Sequence, residues 1–297
     1  MKIFLSLILF LSTFSLADTK LIILGSGTPN PDPNRSGSSY AILVNETAYL
    51  VDFGPGAVRQ AAALSENWGG PFKALNVENL EHAFLTHIHS DHSIGLADLI
   101  LTPWVMGRNK KLKLFGPKAL KEMAESISNA YRKDIDYRIN GTQPTNNVGY
   151  KVDFKELIEG EVFKDSNLVV DAFLVNHGEL EDSYGFRFRT KDKTIIFSGD
   201  TSPSKKVEEY AHKADILVHE VYSQSGFLKK TNDWQIYHKG HHTSSLEVAE
   251  LAKKAKPKKL VLSHILFWGT TPEKLFQEVS NNYEGEVILA KDLMIIN

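Results

Sequence analysis

The sequence predicts an α/β fold in which β-sheets pack between layers of helices. Two observations lead there. Short runs rich in Val, Ile, Leu, Phe and Tyr outnumber the helical stretches, yet both kinds recur and interleave along the chain. Elements with one apolar face must bury it against another layer. A third observation sets the scale: the 297 residues show no internal repeat, low-complexity tract or linker, so residues 18–297 read as one domain.

The elements follow in order. "TKLIILGSG" (19–27) reads as a strand ending in a glycine turn. "SYAILVN" and "TAYLVDFG" are two further strands joined at Asn45-Glu46, the second ending at Asp52. "GAVRQAAAL" (56–64) is helical, "EHAFLTH" a strand, and "GLADLILTPWVMG" (95–107) a helix. "LKLFG" is a strand, followed by a helix from Pro117 to about Lys133, with proline well placed near its start. Residues 134–150 read as loop. Strands are expected at 151–155, 161–164, 168–175, 183–189 and 193–198, then a helix near 204–213 and the strand "DILVHEVY". Residues 224–242 look irregular. Ser244 and Glu247 form a capping box that opens the helix "SLEVAELAKKA". The strand "KLVLSH", a helix at 272–281 and the strands "EVILA" and "LMIIN" complete the chain.

Composition bounds the function. The chain is 42% hydrophobic and 24% charged, ordinary for a globular protein, and its net charge of −2 gives no global attraction to nucleic acid or anionic membrane. With no cysteine, disulfides, thiolate ligands and a cysteine nucleophile are excluded. The N-terminal "MKIFLSLILFLSTFSLADTK" has Lys2, an apolar run and Ser15-Leu16-Ala17. That is the pattern of a secretory signal peptide covering residues 1–17, cleaved after Ala17. The apolar run falls short of the ~20 residues that span a bilayer. The expectation is a secreted, periplasmic protein with no membrane attachment after cleavage.

Residues 85–92, "LTHIHSDH", carry the chemistry. His87 and His89 lie two apart at a strand end and project the same way in extended backbone, while Asp91 and His92 follow in a turn. Imidazoles and a carboxylate at this density suit zinc and similar divalent ions.

This H-x-H-x-D-H stretch resembles the signature of the metallo-β-lactamase fold, a group of dinuclear metallohydrolases. The resemblance implies an αββα sandwich, two mixed sheets between helical layers with the metals at one edge. It implies further ligands that match His177 in "LVNHG", Asp200 in "IIFSGDT" and His264 in "LVLSHI". By that analogy His87, His89 and His177 hold one ion, Asp91, His92 and His264 the other, and Asp200 bridges them. Asp91 counts as a catalytic group as well as a ligand. Asp52 in "LVDFG" matches a support behind the ligands. Two such ions share a water, lower its pKa toward neutrality and hold it as an oriented hydroxide nucleophile. The implied cofactor is two Zn²⁺, with Mn²⁺ or Fe also compatible with an all-nitrogen-and-oxygen donor set.

Three features narrow the branch. "ILGSGTPNPDPNRSGSSYAI" resembles the glycine-rich opening of the ribonuclease Z and arylsulfatase/phosphodiesterase branch, where the amides of Gly25, Ser26 and Gly27 can meet anionic oxygens or close a structural loop. In that branch a glutamate matching Glu220 orients a histidine matching His242, which protonates the leaving oxygen; His241 is the alternative. Phe267 and Trp268, with Tyr222, Trp234 and Tyr237, line a substrate pocket or pack in the core.

The resulting expectation is a secreted hydrolase of small phosphodiesters or sulfate esters. Three alternatives stay open: a ribonuclease Z-type tRNA 3′ endonuclease, a β-lactam or lactone hydrolase, and a non-catalytic metal-binding protein. Three points weigh against the endonuclease. Bacterial tRNA-processing relatives usually carry a long glycine- and proline-rich arm, whereas only residues 178–199 separate His177 from Asp200. The basic runs "NKKLKLF" and "KKAKPKK" are short, and the leader places the chain away from tRNA. The expected partner is a small ester, not nucleic acid; oligomeric state, a homodimer included, is left open.

Overall fold

In β1 (Lys20–Gly25) the run Leu21-Ile22-Ile23-Leu24 is fully buried on both faces. Leu21 and Ile23 join an apolar cluster between two sheets, while Ile22 and Leu24 join a second one beneath helices. Side chains alternate across a strand, so an unbroken apolar run is what a sheet covered on both faces requires.

The computed structural model describes residues 18–297; the expected leader, residues 1–17, lies outside the described residues. Sheet one holds β1, β2 (Ser39–Val44), β3 (Thr47–Phe53), β4 (His82–Phe84), β5 (Leu112–Gly116) and β6 (Val152–Glu156) in that order. Sheet two runs from β7 (Gly160–Lys164) through β8 (Leu168–Leu174), β9 (Tyr184–Thr190), β10 (Thr194–Phe197), β11 (Ile216–Tyr222) and β12 (Lys259–Leu266) to β13 (Glu286–Leu289). The last strand, β14 (Met294–Ile296), crosses back to pair antiparallel with β1. Both sheets are mixed: β1 to β3 and β7 to β10 are antiparallel, while β3 to β6 and β10 to β13 are parallel.

Helices Ala57–Ala63, Leu96–Val105 and Ala119–Ala130 cover the outside of sheet one. Lys205–Tyr210, Ser245–Ala255 and Pro272–Ser280 cover sheet two. This is the expected αββα sandwich. The capping box is present: the Ser244 side chain accepts from the Glu247 amide and the Glu247 carboxylate from the Ser244 amide.

Two segments differ from the sequence reading. Residues 134–150 are not all loop, because a helix covers Arg132–Asn140; it buries only Ile135, which left no periodic apolar signal. Residues 224–242 are not irregular, since helices occupy Gln224–Phe227 and Asn232–His241. The second buries only His238 and His241, so it has no stripe of aliphatic residues by which to be read. It forms one wall of the site.

Candidate active site

The site lies at one edge of the sandwich, where carboxyl ends of strands from both sheets meet. β3 ends beside Asp52 and β4 leads into the loop carrying His87 and His89. That strand stops at Phe84, three residues sooner than the sequence suggested, so these histidines stand on loop backbone. Asp91 and His92 lie in the short helix Ser90–Ser93. His177 follows β8, Asp200 follows β10, Glu220 lies in β11 and His264 in β12.

Hydrogen bonds behind three of the rings set the imidazole proton on the outer side. His92 donates from Nδ1 to Asp52 Oδ2 at 2.7 Å, and His177 from Nδ1 to the His241 carbonyl at 2.8 Å. Thr86 gives its hydroxyl hydrogen to Asp52, 3.0 Å away, so the same oxygen accepts from His87 Nδ1 at 3.0 Å. The inward Nε2 atoms of His87, His92 and His177 are therefore bare lone pairs. Asp52 is 2% exposed with φ of 56°, a left-handed conformation that costs energy in a non-glycine residue. Its carboxylate also accepts from the Thr86 amide at 2.8 Å.

The bare nitrogens converge. His89 Nδ1 is 3.1 Å from both His87 Nε2 and His177 Nε2. His264 Nε2 is 3.0 Å from Asp91 Oδ2, and His92 Nε2 is 3.4 Å from the same oxygen. Asp200 Oδ2 lies between the groups, 3.4 Å from His264, 3.5 Å from His92 and 3.9 Å from His87. Burial and neighbouring His92 push His87 well below 6.5. Lone pairs crowded this closely, with the buried His92 Nε2 left without a hydrogen-bond partner, fit divalent cations. His87, His89 and His177 form one donor group that could hold an ion; Asp91, His92 and His264 form another.

His242 stands beside this centre. Its Nδ1 is 3.3 Å from Glu220 Oε2 and 3.9 Å from Asp200 Oδ2. Glu220 Oε1 accepts from the Thr243 amide at 2.7 Å, which fixes the side chain and leaves Oε2 at ion-pair distance from the ring. Burial pushes Glu220 well above the ordinary carboxyl range and lowers His242 to about 4. His241 plays a different part. Its carbonyl sets the His177 proton, its Nδ1 donates to the Tyr237 carbonyl at 2.7 Å, and its Nε2 lies 3.2 Å from Glu179.

The glycine-rich opening closes a loop and offers few free amides. Ser26 is fully buried and donates from both its amide and hydroxyl to Asp292 Oδ1, while the Gly27 amide donates to the Ser36 carbonyl. A Cβ on Gly25 would lie 2.0 Å from the Gly37 carbonyl oxygen, so glycine is required there for close approach. Phe267 faces Arg35, 5.1 Å from ring centroid to guanidinium, in a neighbouring cavity of about 240 Å³. Trp268 lies between that cavity and a cleft of about 370 Å³ that opens onto His89, Asp91, Asp200, His242 and His264.

Fold and site together define a divalent-metal hydrolase of ester bonds. The chain belongs to the metallo-beta-lactamase superfamily, whose model matches residues 32–264. It is similar to the ribonuclease Z of Mycolicibacterium paratuberculosis, 31% identical over 281 residues that cover 92% of this chain and 96% of the relative. Among solved structures it is similar to the metallo-beta-lactamase fold protein YhfI of Bacillus subtilis (TM-score 0.73, 19% identity, 94% and 100% of the two chains). Human tRNase Z, short form, gives a TM-score of 0.67 at 21% identity, over 94% and 98%. The aligned length of the mycobacterial relative leaves it no room for a long insertion. The short 178–199 segment therefore does not set this chain apart from a protein bearing that name.

Sequence reasoning missed Lys230, Asn30 and His238, which also line the cleft. The signal for His238 was available: Trp234, Tyr237, His238 and His241 recur at helical spacing, but with aromatic rather than aliphatic residues.

Proposed function

We propose that the chain is a dinuclear, zinc-dependent phosphodiesterase of the ribonuclease Z type, cleaving a phosphodiester in RNA. The observation that carries this is the Glu220–His242 pair beside the two donor groups, in a chain with curated relatives named ribonuclease Z. These relatives favour a phosphodiester over a sulfate ester. His87, His89 and His177 would hold one ion, Asp91, His92 and His264 the other, with Asp200 shared. Bound there, two divalent ions supply an activated water and offset negative charge on the phosphoryl oxygens.

The chain's own groups do the rest. Asp52 and the His241 carbonyl keep the ring protons outside. Glu220 Oε2, 3.3 Å from His242 Nδ1, would orient the ring and steady its charge, leaving His242 Nε2 as the edge that protonates the leaving oxygen. Asp91 would hold the second ion together with His264, its Oδ2 lying 3.0 Å from His264 Nε2.

A small phosphodiester is the second reading, and the cleft favours it: about 370 Å³ suits a nucleotide-sized ligand, and Lys230 is the one cationic side chain lining it among the described residues. Secreted, periplasmic placement is part of this second reading and rests on residues 1–17. No helix among the described residues is long and apolar enough to cross a membrane.

The test compares a pre-tRNA, bis-p-nitrophenyl phosphate, a cyclic nucleotide, p-nitrophenyl sulfate and a lactone on one purified sample. Metal content and the mature N-terminus are determined alongside. Chelator-sensitive cleavage of pre-tRNA is the expected result. Turnover of small diesters alone, with an N-terminus at Asp18, would select the second reading. Turnover of the lactone alone would reject both.

A further inference from the structure

The helix Asn232–His241 carries Trp234, Tyr237 and His238 at i, i+3 and i+4, all three lining the cleft. From solvent to core the rings form one chain of contacts, stacked at its two ends and tilted where His238 and Tyr222 meet Trp268. Trp234 lies on His238 with centroids 5.4 Å apart and planes at 19°, and His238 on Trp268 at 4.2 Å. Trp268 then meets Tyr222 at 5.3 Å, and Tyr222 meets Phe227 at 5.0 Å. The inner end is closed, with Tyr222 2% exposed. The outer end is open: Trp234 is 54% and Tyr237 41% exposed, their rings perpendicular at 89° and 5.7 Å apart. Lys230 holds its ammonium 4.8 Å from the Trp268 centroid. Trp234, Tyr237, His238, Trp268 and Lys230 thus form one wall of the cleft whose other wall carries His89, Asp91 and Asp200.

Trp234 touches His238 and Tyr237 at the outer end of this chain of rings and is still 54% exposed, so its indole offers surface to a further planar group. A planar ring system entering the cleft supplies that group at little cost in side-chain freedom. We propose that this wall is a nucleobase-stacking subsite: the base adjoining the scissile phosphodiester packs against Trp234 and Tyr237, and Lys230 meets an anionic oxygen of the same nucleotide. The inference rests on the phosphodiesterase reading and extends it to the substrate's base. Because every base offers a π face, the subsite accepts any base and favours purines by area rather than by hydrogen bonding.

Calorimetric titration of the purified protein with AMP and with ribose 5-phosphate tests this, the two probes sharing a phosphate and differing in the base. AMP is expected to bind about tenfold tighter. Trp234→Ala should remove most of that advantage and leave ribose 5-phosphate within about twofold, while Trp234→Phe keeps it. Lys230→Gln should weaken both ligands alike. Equal binding of the two probes, or unchanged AMP binding in Trp234→Ala, would overturn the subsite. Hydrolysis of bis-p-nitrophenyl phosphate on the same samples reads the reaction separately. Turnover without base preference defeats the subsite alone, whereas base preference without phosphodiester turnover supports it and defeats the reaction assigned above.

Discussion

Asp52→Asn is close to isosteric, yet it attacks the proton arrangement behind the candidate ligands. In the native protein Asp52 Oδ2 accepts from His92 Nδ1 at 2.7 Å, and Oδ1 accepts from the Thr86 amide at 2.8 Å. An asparagine keeps one acceptor. The Thr86 amide is fixed as a donor, so the new oxygen goes there and the NH₂ group turns to His92 Nδ1. His92 must then accept at Nδ1 and carry its proton on Nε2, the atom that points at Asp91 and Asp200. The inner lone pair is gone. Loss of such an outer partner typically costs 10–100-fold in metal affinity, about 1.4–2.8 kcal/mol. The assay is metal content per chain after dialysis against graded chelator, with melting followed in excess chelator to isolate any folding defect. One ion should be retained near wild-type affinity and the other lost at least tenfold more readily. Two ions held with wild-type affinity would refute the proton assignment.

His242→Ala should slow diesters with alkoxide leaving groups by about 10²-fold or more and nitrophenolate diesters much less, because nitrophenolate needs little protonation; equal losses on both would remove His242 from the acid role. His82, buried between Tyr49 and Phe163, is lowered to about 4 by burial and then by Lys113. Between about pH 6.5 and 4 the unfolded chain binds a proton there that the folded one does not, so stability falls as pH drops through that window. His82→Phe should flatten the decline in denaturant midpoints against pH, and an unchanged slope would count against this account. Ser244→Ala removes the side-chain half of the capping box at Ser245–Ala255 and should lower stability by about 1 kcal/mol in urea titration. A change within error would mean that packing against sheet two and the neighbouring helices holds that helix without its cap.

The layered architecture and the first four candidate ligands were legible because both are written locally. Apolar runs such as Leu21 to Leu24 declare a strand covered on two faces, and His87, His89, Asp91 and His92 sit within six positions. His177, Asp200 and His264 lie far apart in sequence and were matched only through the resemblance to the family. Local patterns state which faces need burial and which donors are at hand, since those depend on residue type and backbone period. Three matters only the tertiary structure decided. It gave Ser26 and Gly27 amides to Asp292 and Ser36, it chose His242 over His241 to face Asp200, and it left Phe267 outside the cleft that Trp268 lines. The helix Asn232–His241 belongs with them. Its residues meet the cleft rather than the core, so the aliphatic periodicity that marks a helix was absent, and only contacts between distant segments fixed where its rings stand.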